Sequence, residues 1–211
     1  YLSEILNPLD SSNENIYSGL HLLDNLFDFL ANRALTHYEQ TNRFIAKPIQ
    51  EFDADDYALF SPSDTFIQIP VFNNDSNSNE FKTLKLYQAI LEANKASNIS
   101  KRVYFDLKRL IHYYRITNKG NKDKLYLTAL EKLNGKYPNN SAIQYQIAEL
   151  YSQQGFRFSK TDTLHRWSLV KAMGVLNKIN INDEYISKNY EALKSRIIEK
   201  QHSFEIEENN L

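Results

Sequence analysis

Hydrophobic residues recur at helical spacing through most of the chain, most clearly between Asp123 and Gly155. This region has the pattern of two amphipathic helices joined by a short turn at Pro138, which cannot continue the first helix. Asn140 or Ser141 can cap the second helix through a side-chain oxygen. Because two apolar stripes joined by so short a turn must bury each other, we predict an antiparallel helical hairpin. The stripes consist of Tyr126, Leu130, Leu133 and Tyr137 in the first helix and of Ile143, Ile147, Ala148, Leu150 and Tyr151 in the second.

Further helices are predicted on both sides of this hairpin by the same spacing. The longest begins near Ile16 and ends near Tyr38, and we expect its core-facing stripe to include Leu23, Phe27 and Leu30. The chain has five glycines and five prolines, few enough to favour long helices over a fold with many turns. The remaining predicted helices span about 81–96, 100–114 and 164–179, and a last one begins after residue 183.

The stretch from about 44 to 80 interrupts the helical period with three prolines and scattered aromatic residues. A loop of that length without structure of its own is unusual in a compact domain. We therefore predict an irregular but ordered insert, held in place by its aromatic side chains. A one-turn helix is expected within it, near residues 55–60.

The end of the chain carries a different pattern. Phe204 and Ile206 alternate with polar residues, which is typical of a strand. Since a strand needs a partner and the helical part supplies none, we expect this strand to lead into a β domain. The predicted organisation is a single helical domain over residues 1–202, followed over 203–211 by the start of a β domain or by a linker.

Charge and composition exclude several classes of function. Lys and Arg number 25 against 26 Asp and Glu, so no basic footprint for nucleic acid is present. A small basic cluster at Lys101, Arg102, Lys108 and Arg109 is interpreted as an exposed helix face. The chain has no cysteine, which excludes disulfides, thiolate metal sites and a cysteine nucleophile. No stretch approaches the length of apolar residues that a membrane-spanning helix requires, so no direct membrane span is predicted.

Residue types that support catalysis or metal binding do not occur at useful spacings. His21 with Asp24 and Asp28 comes nearest to a metal cluster, but a solvated helix face is the favoured interpretation. The oxygen-rich stretches 51–56 and 73–79 lack the glycine and glutamate of an EF-hand loop. Neither a nucleophile elbow nor a glycine-rich phosphate loop is present. We therefore expect no catalytic residue, no metal and no cofactor, and we predict that the chain is not an enzyme.

Tyrosine is the candidate for recognition, because the chain has 14 tyrosines and several of them lie on successive predicted helices. Two interpretations stay open: the rings pack in the core with their hydroxyls at its edge, or they line a groove for a peptide or protein. The possible partner-binding face consists of Tyr87, Tyr104, Tyr113, Tyr114, Tyr145 and Tyr151.

The second helix of the hairpin resembles the first helix of a tetratricopeptide repeat (TPR). In the run SAIQYQIAELYSQQGF, Ile147, Ala148, Tyr151 and Gly155 stand where that motif places its Leu, small residue, Tyr and Gly. The motif's Trp position is occupied by Gln144. The resemblance implies an all-α fold of TPR-like antiparallel hairpins, a solenoid or bundle, interrupted by the insert at about 44–80.

A broader resemblance covers nearly the whole chain. The segments SGLHLLDNLFDFLANRAL, SPSDTFIQI, LKLYQAILEAN, NKDKLYLTALEKLNGKYPNNSA and SFEIEENNL, in this order, resemble the N-terminal helical region of Bacteroidetes alpha-2-macroglobulin-like proteins. In that family a TPR-like region precedes the first macroglobulin β-sandwich. The resemblance implies a large cell-envelope protein related to endopeptidase inhibitors, in the periplasm or at the cell surface and anchored to the outer membrane. That family's bait region and thioester do not lie in this chain, so no functional residue is carried over.

These observations lead to a first functional hypothesis of a non-catalytic protein–protein interaction or spacer module within such an alpha-2-macroglobulin-like parent. Its partner would be another protein or other domains of the parent chain. The alternative hypothesis is a glycan-binding module similar to the TPR-containing, SusD-like outer-membrane lipoproteins. It predicts several coplanar exposed aromatic rings beside a polar pocket.

Overall fold

A computed structural model describes residues 22–41, 56–70, 78–118, 120–159, 164–180 and 184–209. Within these residues the regular secondary structure is helical, which confirms the predicted all-α class. The helices are α1 (Leu26–Thr41), α2 (Asp56–Leu59), α3 (Ser63–Phe66), α4 (Asn79–Ala93), α5 (Ile99–Ile116), α6 (Lys122–Lys136), α7 (Ser141–Phe156), α8 (Ser168–Leu176) and α9 (Glu184–Asn209).

The contacts of the chain divide it into two compact units. The first comprises Tyr1–Phe52 and Pro70–Lys108, and thus holds α1, α4 and α5 as far as Lys108. The second comprises Asp53–Ile69 and Arg109–Leu211, and holds the remaining helices. The predicted domain boundary at residue 202 stays a prediction.

The helical hairpin predicted in the second unit is present as α6 and α7. Leu130 and Ile143 are fully buried between packed elements, and Tyr126 donates a hydrogen bond of 3.0 Å from its hydroxyl to Oε1 of Gln146. Asn140 caps α7, because its Oδ1 accepts hydrogen bonds from the backbone N–H groups of Ala142 and Ile143. Local periodicity and a single cap therefore suffice to specify this part of the fold.

Gly155 lies inside the last turn of α7 and is buried. There α7 packs closely against α8. A methyl group placed on Gly155 would come within 2.6 Å of the Leu169 side chain and within 3.0 Å of the Leu169 backbone nitrogen. Glycine is thus required by the approach of α8, which also contacts α9.

In the part of the insert that the structure describes, α2 lies where the one-turn helix was predicted. Arg109 on α5 is buried and donates from Nη1 to the carbonyl oxygen of Leu59 at 2.7 Å and from Nη2 to that of Ser61 at 2.9 Å. Its guanidinium also lies 4.3 Å from the centre of the Phe66 ring. Arg109 and Lys101 are both buried, so the interpretation of their basic cluster as an exposed face is wrong for these two residues.

The predicted core-facing stripe of α1 is wrong in its second half. Leu23 is buried as expected, but Phe27 and Leu30 are exposed, and the buried side of the helix carries Asp28 and Leu35 instead. The reason is a polar contact that hydrophobic spacing cannot register: the Asp28 carboxylate is bound by groups from α4 and α5. Residues 16–21 of the predicted helix lie outside the described residues.

The terminal strand is not confirmed. Residues 204–206 belong to α9, which continues to Asn209. The chain from Glu184 to Asn209 contains neither glycine nor proline, and its last turns are rich in glutamate, a good helix former, so nothing in the sequence ends the helix earlier. Two apolar residues that alternate with polar ones form too short a pattern to predict a strand within a continuous helix-forming sequence.

Candidate interaction site

The six tyrosines of the predicted partner-binding face differ in their burial. Tyr87, Tyr104 and Tyr113 are buried in the cores of their units. The hydroxyl of Tyr87 donates to a carboxylate oxygen of Glu39 at 2.5 Å, and that of Tyr104 donates to Oδ1 of Asn32 at 3.3 Å. For these three residues the core-packing interpretation is therefore the correct one.

Tyr114 is half-buried in the second unit and stacks on the buried ring of Tyr126, with 4.4 Å between the ring centres. Its hydroxyl donates to Oδ1 of Asp123 at 2.9 Å, and Arg157 donates to the other oxygen of that carboxylate at 3.0 Å. Burial, with the hydrogen bond to Asp123, raises the pKa of Tyr114 to about 12. The ring and the hydroxyl of Tyr114 thus make their contacts within the second unit.

Tyr145 and Tyr151 on α7 are half-buried. The ammonium of Lys171 lies 5.6 Å from the centre of the Tyr151 ring. Burial, and after it the negative charge of Glu131, raises the pKa of Tyr151. Tyr151 is the member of the predicted face that leads to a larger exposed surface.

That surface is formed by the start of α8 and the turn that precedes it. Leu164 is 78% exposed, Trp167 63% and Val170 55%, although all three are large apolar residues. The backbone N–H of Ser168 donates to the carbonyl of His165, and that of Lys171 donates to the carbonyl of Trp167, so the turn passes directly into the helix. Residues at intervals of three then lie on one side. We name this surface, formed by Tyr151, Leu164, Arg166, Trp167, Val170 and Lys171, the α8 face.

The opposite side of α8 supplies the contacts that hold the helix in the second unit. Leu169, Ala172 and Leu176 are buried there against α7 and α9. Because these residues already satisfy the hydrophobic requirement of the helix, the exposed apolar groups at 164, 167 and 170 add nothing to the core. The exposure of these three side chains is therefore not explained by packing within the second unit.

The α8 face is also positively charged. Residues 164–182 contain Arg166, Lys171 and Lys178 and no carboxylate side chain. The guanidinium of Arg166 lies 5.2 Å from the centre of the Trp167 ring. Among the residues that the structure describes, no ion pair joins Arg166 or Lys171 to an acid. An indole with a guanidinium over its ring and a tyrosine with an ammonium over its ring combine residue types that are enriched at protein-interaction hot spots.

Other candidate sites are less suited to recognition. In the first unit, Lys101 and Asp28 form a buried ion pair whose hydrogen bonds come from neighbouring helices, which is a structural arrangement. A shallow groove of about 350 Å³ in the second unit is lined by Phe156, Arg196, Glu199 and Lys200, with Arg196 lying over the Phe156 ring.

The predicted absence of a metal site and of a membrane-spanning helix is compared with the residues that the structure describes. His21 and the stretches 51–55 and 73–77 lie outside the described residues; within the described ones, no group of three His, Asp or Glu side chains could hold a metal ion. None of the helices that the structure describes combines the length and apolar character needed to cross a membrane.

No protein-family model, curated protein or solved structure matches the chain. The resemblance to the N-terminal region of Bacteroidetes alpha-2-macroglobulin-like proteins is therefore a prediction from its quoted segments alone, as is the TPR-like arrangement of the hairpins.

Sequence reasoning did not single out Trp167. The signal was present, because the turn and the short helix together carry two apolar stripes, one at 164, 167 and 170 and the other at 169, 172 and 176. A nine-residue helix at the edge of a helical layer buries one such stripe and leaves the other outside. Periodicity alone does not indicate which of the two is covered.

Proposed function

We propose that this chain is a non-catalytic protein-interaction module and that the α8 face is its docking surface. The proposal places the module in the envelope protein that the family resemblance implies, where it would hold an alpha-2-macroglobulin-like body against a partner protein or another domain. The helices of the second unit serve as the scaffold in this proposal, and residues of α8 make the contacts.

The observation that carries the proposal is the exposure of Trp167, the single tryptophan of the chain. Tryptophan, tyrosine and arginine are the residue types most enriched among side chains that dominate binding energy. Here Trp167, Arg166 and Tyr151 border one surface. An exposed indole costs solubility, so its presence among two further exposed apolar groups is best explained by a partner that covers them.

The second unit is a suitable scaffold for a docking surface because α8 is tightly packed within it. Gly155 allows α7 to approach Leu169 closely, and Leu176 is fully buried at the other end of the helix. A docking surface on a well-packed helix loses little conformational entropy on binding. Stacked helical hairpins in general provide extended surfaces of this kind.

The glycan-binding alternative requires exposed coplanar rings beside a polar pocket. Among the described residues, the stacked ring pair is Tyr114 with Tyr126, and Tyr126 is buried. This pair does not provide the exposed platform, so the glycan-binding function is not the one we propose.

The experiment that tests the proposal selects binders from a library of random short peptides displayed on phage, with the purified protein as bait. Affinities of the selected peptides are then compared between wild type and Trp167→Ala. Truncation of a hot-spot residue costs at least about 2 kcal/mol, so Trp167→Ala is expected to weaken binding about 30-fold or more.

The matched control is Leu26→Ala, which removes an equally exposed apolar side chain from the first unit and should leave the affinities unchanged. Circular dichroism verifies that each variant is folded. Selected peptides that bind Trp167→Ala and wild type equally well would remove the α8 face as the docking surface. Spacer would then be the better description of the module.

A further inference from the structure

We propose that the α8 face binds an acidic protein segment that inserts a large apolar side chain beside Trp167. This inference rests on the proposed function and adds the chemistry of the partner. It is drawn from the charge distribution around the exposed apolar groups.

Arg166 and Lys171 are the charged side chains of the α8 face, and the carboxylate of Glu131 on α6 acts on Tyr151 at its margin. The chain has a formal net charge of −1, whereas residues 164–182 carry three Lys or Arg side chains and no Asp or Glu. A surface of one sign attracts a partner of the opposite sign and rejects one of the same sign. The charge complement of this face is a segment rich in Asp and Glu.

The positions of Arg166 and Lys171 determine which charged groups an acidic segment would contact on this face. Arg166 precedes Trp167 directly, and Lys171 follows Trp167 by one helical turn on the same side, next to Tyr151. A guanidinium can hold a carboxylate through two parallel hydrogen bonds, while an ammonium acts as a point charge. An apolar side chain that contacts the indole would thus have a cationic partner on each side for its acidic neighbours.

The number and arrangement of these groups favour a protein segment over an anionic membrane surface. Helices that bind membrane surfaces present a long apolar face and a lysine- or arginine-rich polar face. In α8 the longer apolar stripe, with Leu169, Ala172 and Leu176, is turned inward. Three exposed apolar groups and two flanking cations match a short peptide contact in size.

The test uses the peptide that shows the strongest dependence on Trp167 in the random-peptide selection. Its Asp and Glu residues are replaced by Asn and Gln, and both forms are titrated against wild type and against the double variant Arg166→Gln/Lys171→Gln. The fluorescence of Trp167, the single tryptophan, reports binding directly.

We expect the Trp167-dependent peptides to be enriched in Asp and Glu. Each partly exposed ion pair contributes about 0.2–1 kcal/mol, so losing two of them should weaken binding roughly 2- to 30-fold. The neutral peptide should lose little or nothing further on the double variant, because the same pairs are already missing. The control is Lys124→Gln/Lys132→Gln, which removes two exposed cations from α6 and should leave affinity for the acidic peptide within twofold.

The outcomes separate this inference from the proposed function. Trp167-dependent peptides without acidic enrichment, whose affinity is unchanged in Arg166→Gln/Lys171→Gln, would overturn the acidic partner and leave the docking surface standing. Selected peptides that do not depend on Trp167 would overturn both. Binding to an anionic membrane is tested with vesicles of phosphatidylcholine and phosphatidylglycerol. If the protein binds these vesicles in a Trp167-dependent way and no selected peptide depends on Trp167, the partner is an anionic membrane and not a protein segment.

Discussion

Lys101 places its ammonium nitrogen 2.8 Å from Oδ2 of Asp28, and both side chains are buried. The carboxylate also accepts hydrogen bonds of 2.7 Å from the side-chain amides of Asn25 and Asn94. The exposed Asp24 forms a second ion pair with Lys101. This cluster joins α1 and α5 to Asn94, which directly follows α4, within the first unit and explains why an acidic side chain occupies the buried side of α1.

Removal of one member of the buried pair should be costly. Asp28→Ala leaves Lys101 with only the exposed Asp24 as its acidic partner and removes one of the two acceptors of the Asn94 amide, so we expect a loss of about 3–5 kcal/mol in the free energy of unfolding. Urea denaturation followed by circular dichroism measures it. The double variant Asp28→Leu/Lys101→Met, which removes both charges, should be more stable than Asp28→Ala. Equal losses in both would contradict the role of the unpaired charge.

Alkaline pH should destabilise the first unit. Burial opposes the charge of Lys101, but hydrogen bonds to Asp24 and Asp28 raise its pKa above the ordinary value of 10.5. Burial, and then the charge of Glu39, raises the pKa of Tyr104 from 10.0 to about 12. Both folded-state pKa values lie above those of the unfolded chain. Their contribution to stability is therefore complete below about pH 10 and is lost as the pH rises toward 12.

This dependence is measured by urea unfolding at a series of pH values from neutral to about 12. Tyr104→Phe should reduce the decline, because the phenol that ionises in the unfolded chain is no longer present. If the free energy of unfolding of Tyr104→Phe falls equally steeply with rising pH, the alkaline destabilisation arises from other groups.

Two glycines in the hairpin should respond in opposite ways to alanine. Gly155→Ala brings a methyl group to 2.6 Å from the Leu169 side chain, so we expect a loss of about 1–3 kcal/mol from overpacking. Gly135→Ala, near the end of α6, meets nothing within 4 Å and should gain about 0.5–1 kcal/mol from the reduced entropy of the unfolded chain. Thermal denaturation of the two variants gives the comparison. A stabilising Gly155→Ala would show that α7 and α8 are less closely packed than described.

The core of the hairpin can be tested by truncation. Leu130 is fully buried and Ile147 nearly so, on the facing helices α6 and α7. Each change to alanine should cost about 2–5 kcal/mol, the range for lost burial plus the cavity that remains. Denaturant titration of the two single variants measures this. Losses under about 1 kcal/mol in both variants would be incompatible with a shared core at these positions.

Much of the helical content follows from local sequence. The ends of α6 and α7 agree with the predicted hairpin to within a residue or two, because periodic apolar residues, a proline and the Asn140 cap all act over a few positions. The same reasoning failed at residues 204–206, where two alternating apolar residues suggested a strand. A pattern of that length does not compete with a glutamate-rich run free of glycine and proline.

The candidate site was predictable only in part. Tyr151 was named from sequence, but Tyr87, Tyr104 and Tyr113 are buried, and Trp167 was not singled out at all. Tyrosine count and helical spacing identify amphipathic side chains without indicating which are covered. That depends on the neighbours each helix acquires.

The sequence by itself determined the all-α class, the α6–α7 hairpin and the short helix α2 within the insert, since each depends on residues close together in the chain. Only the tertiary structure decided which side of α1 is buried, why residue 155 must be glycine and which stripe of α8 remains outside. Those outcomes depend on pairs distant along the chain, such as Asp28 with Lys101. A helix with two apolar stripes or one buried acid has no preferred face until its partner is in place.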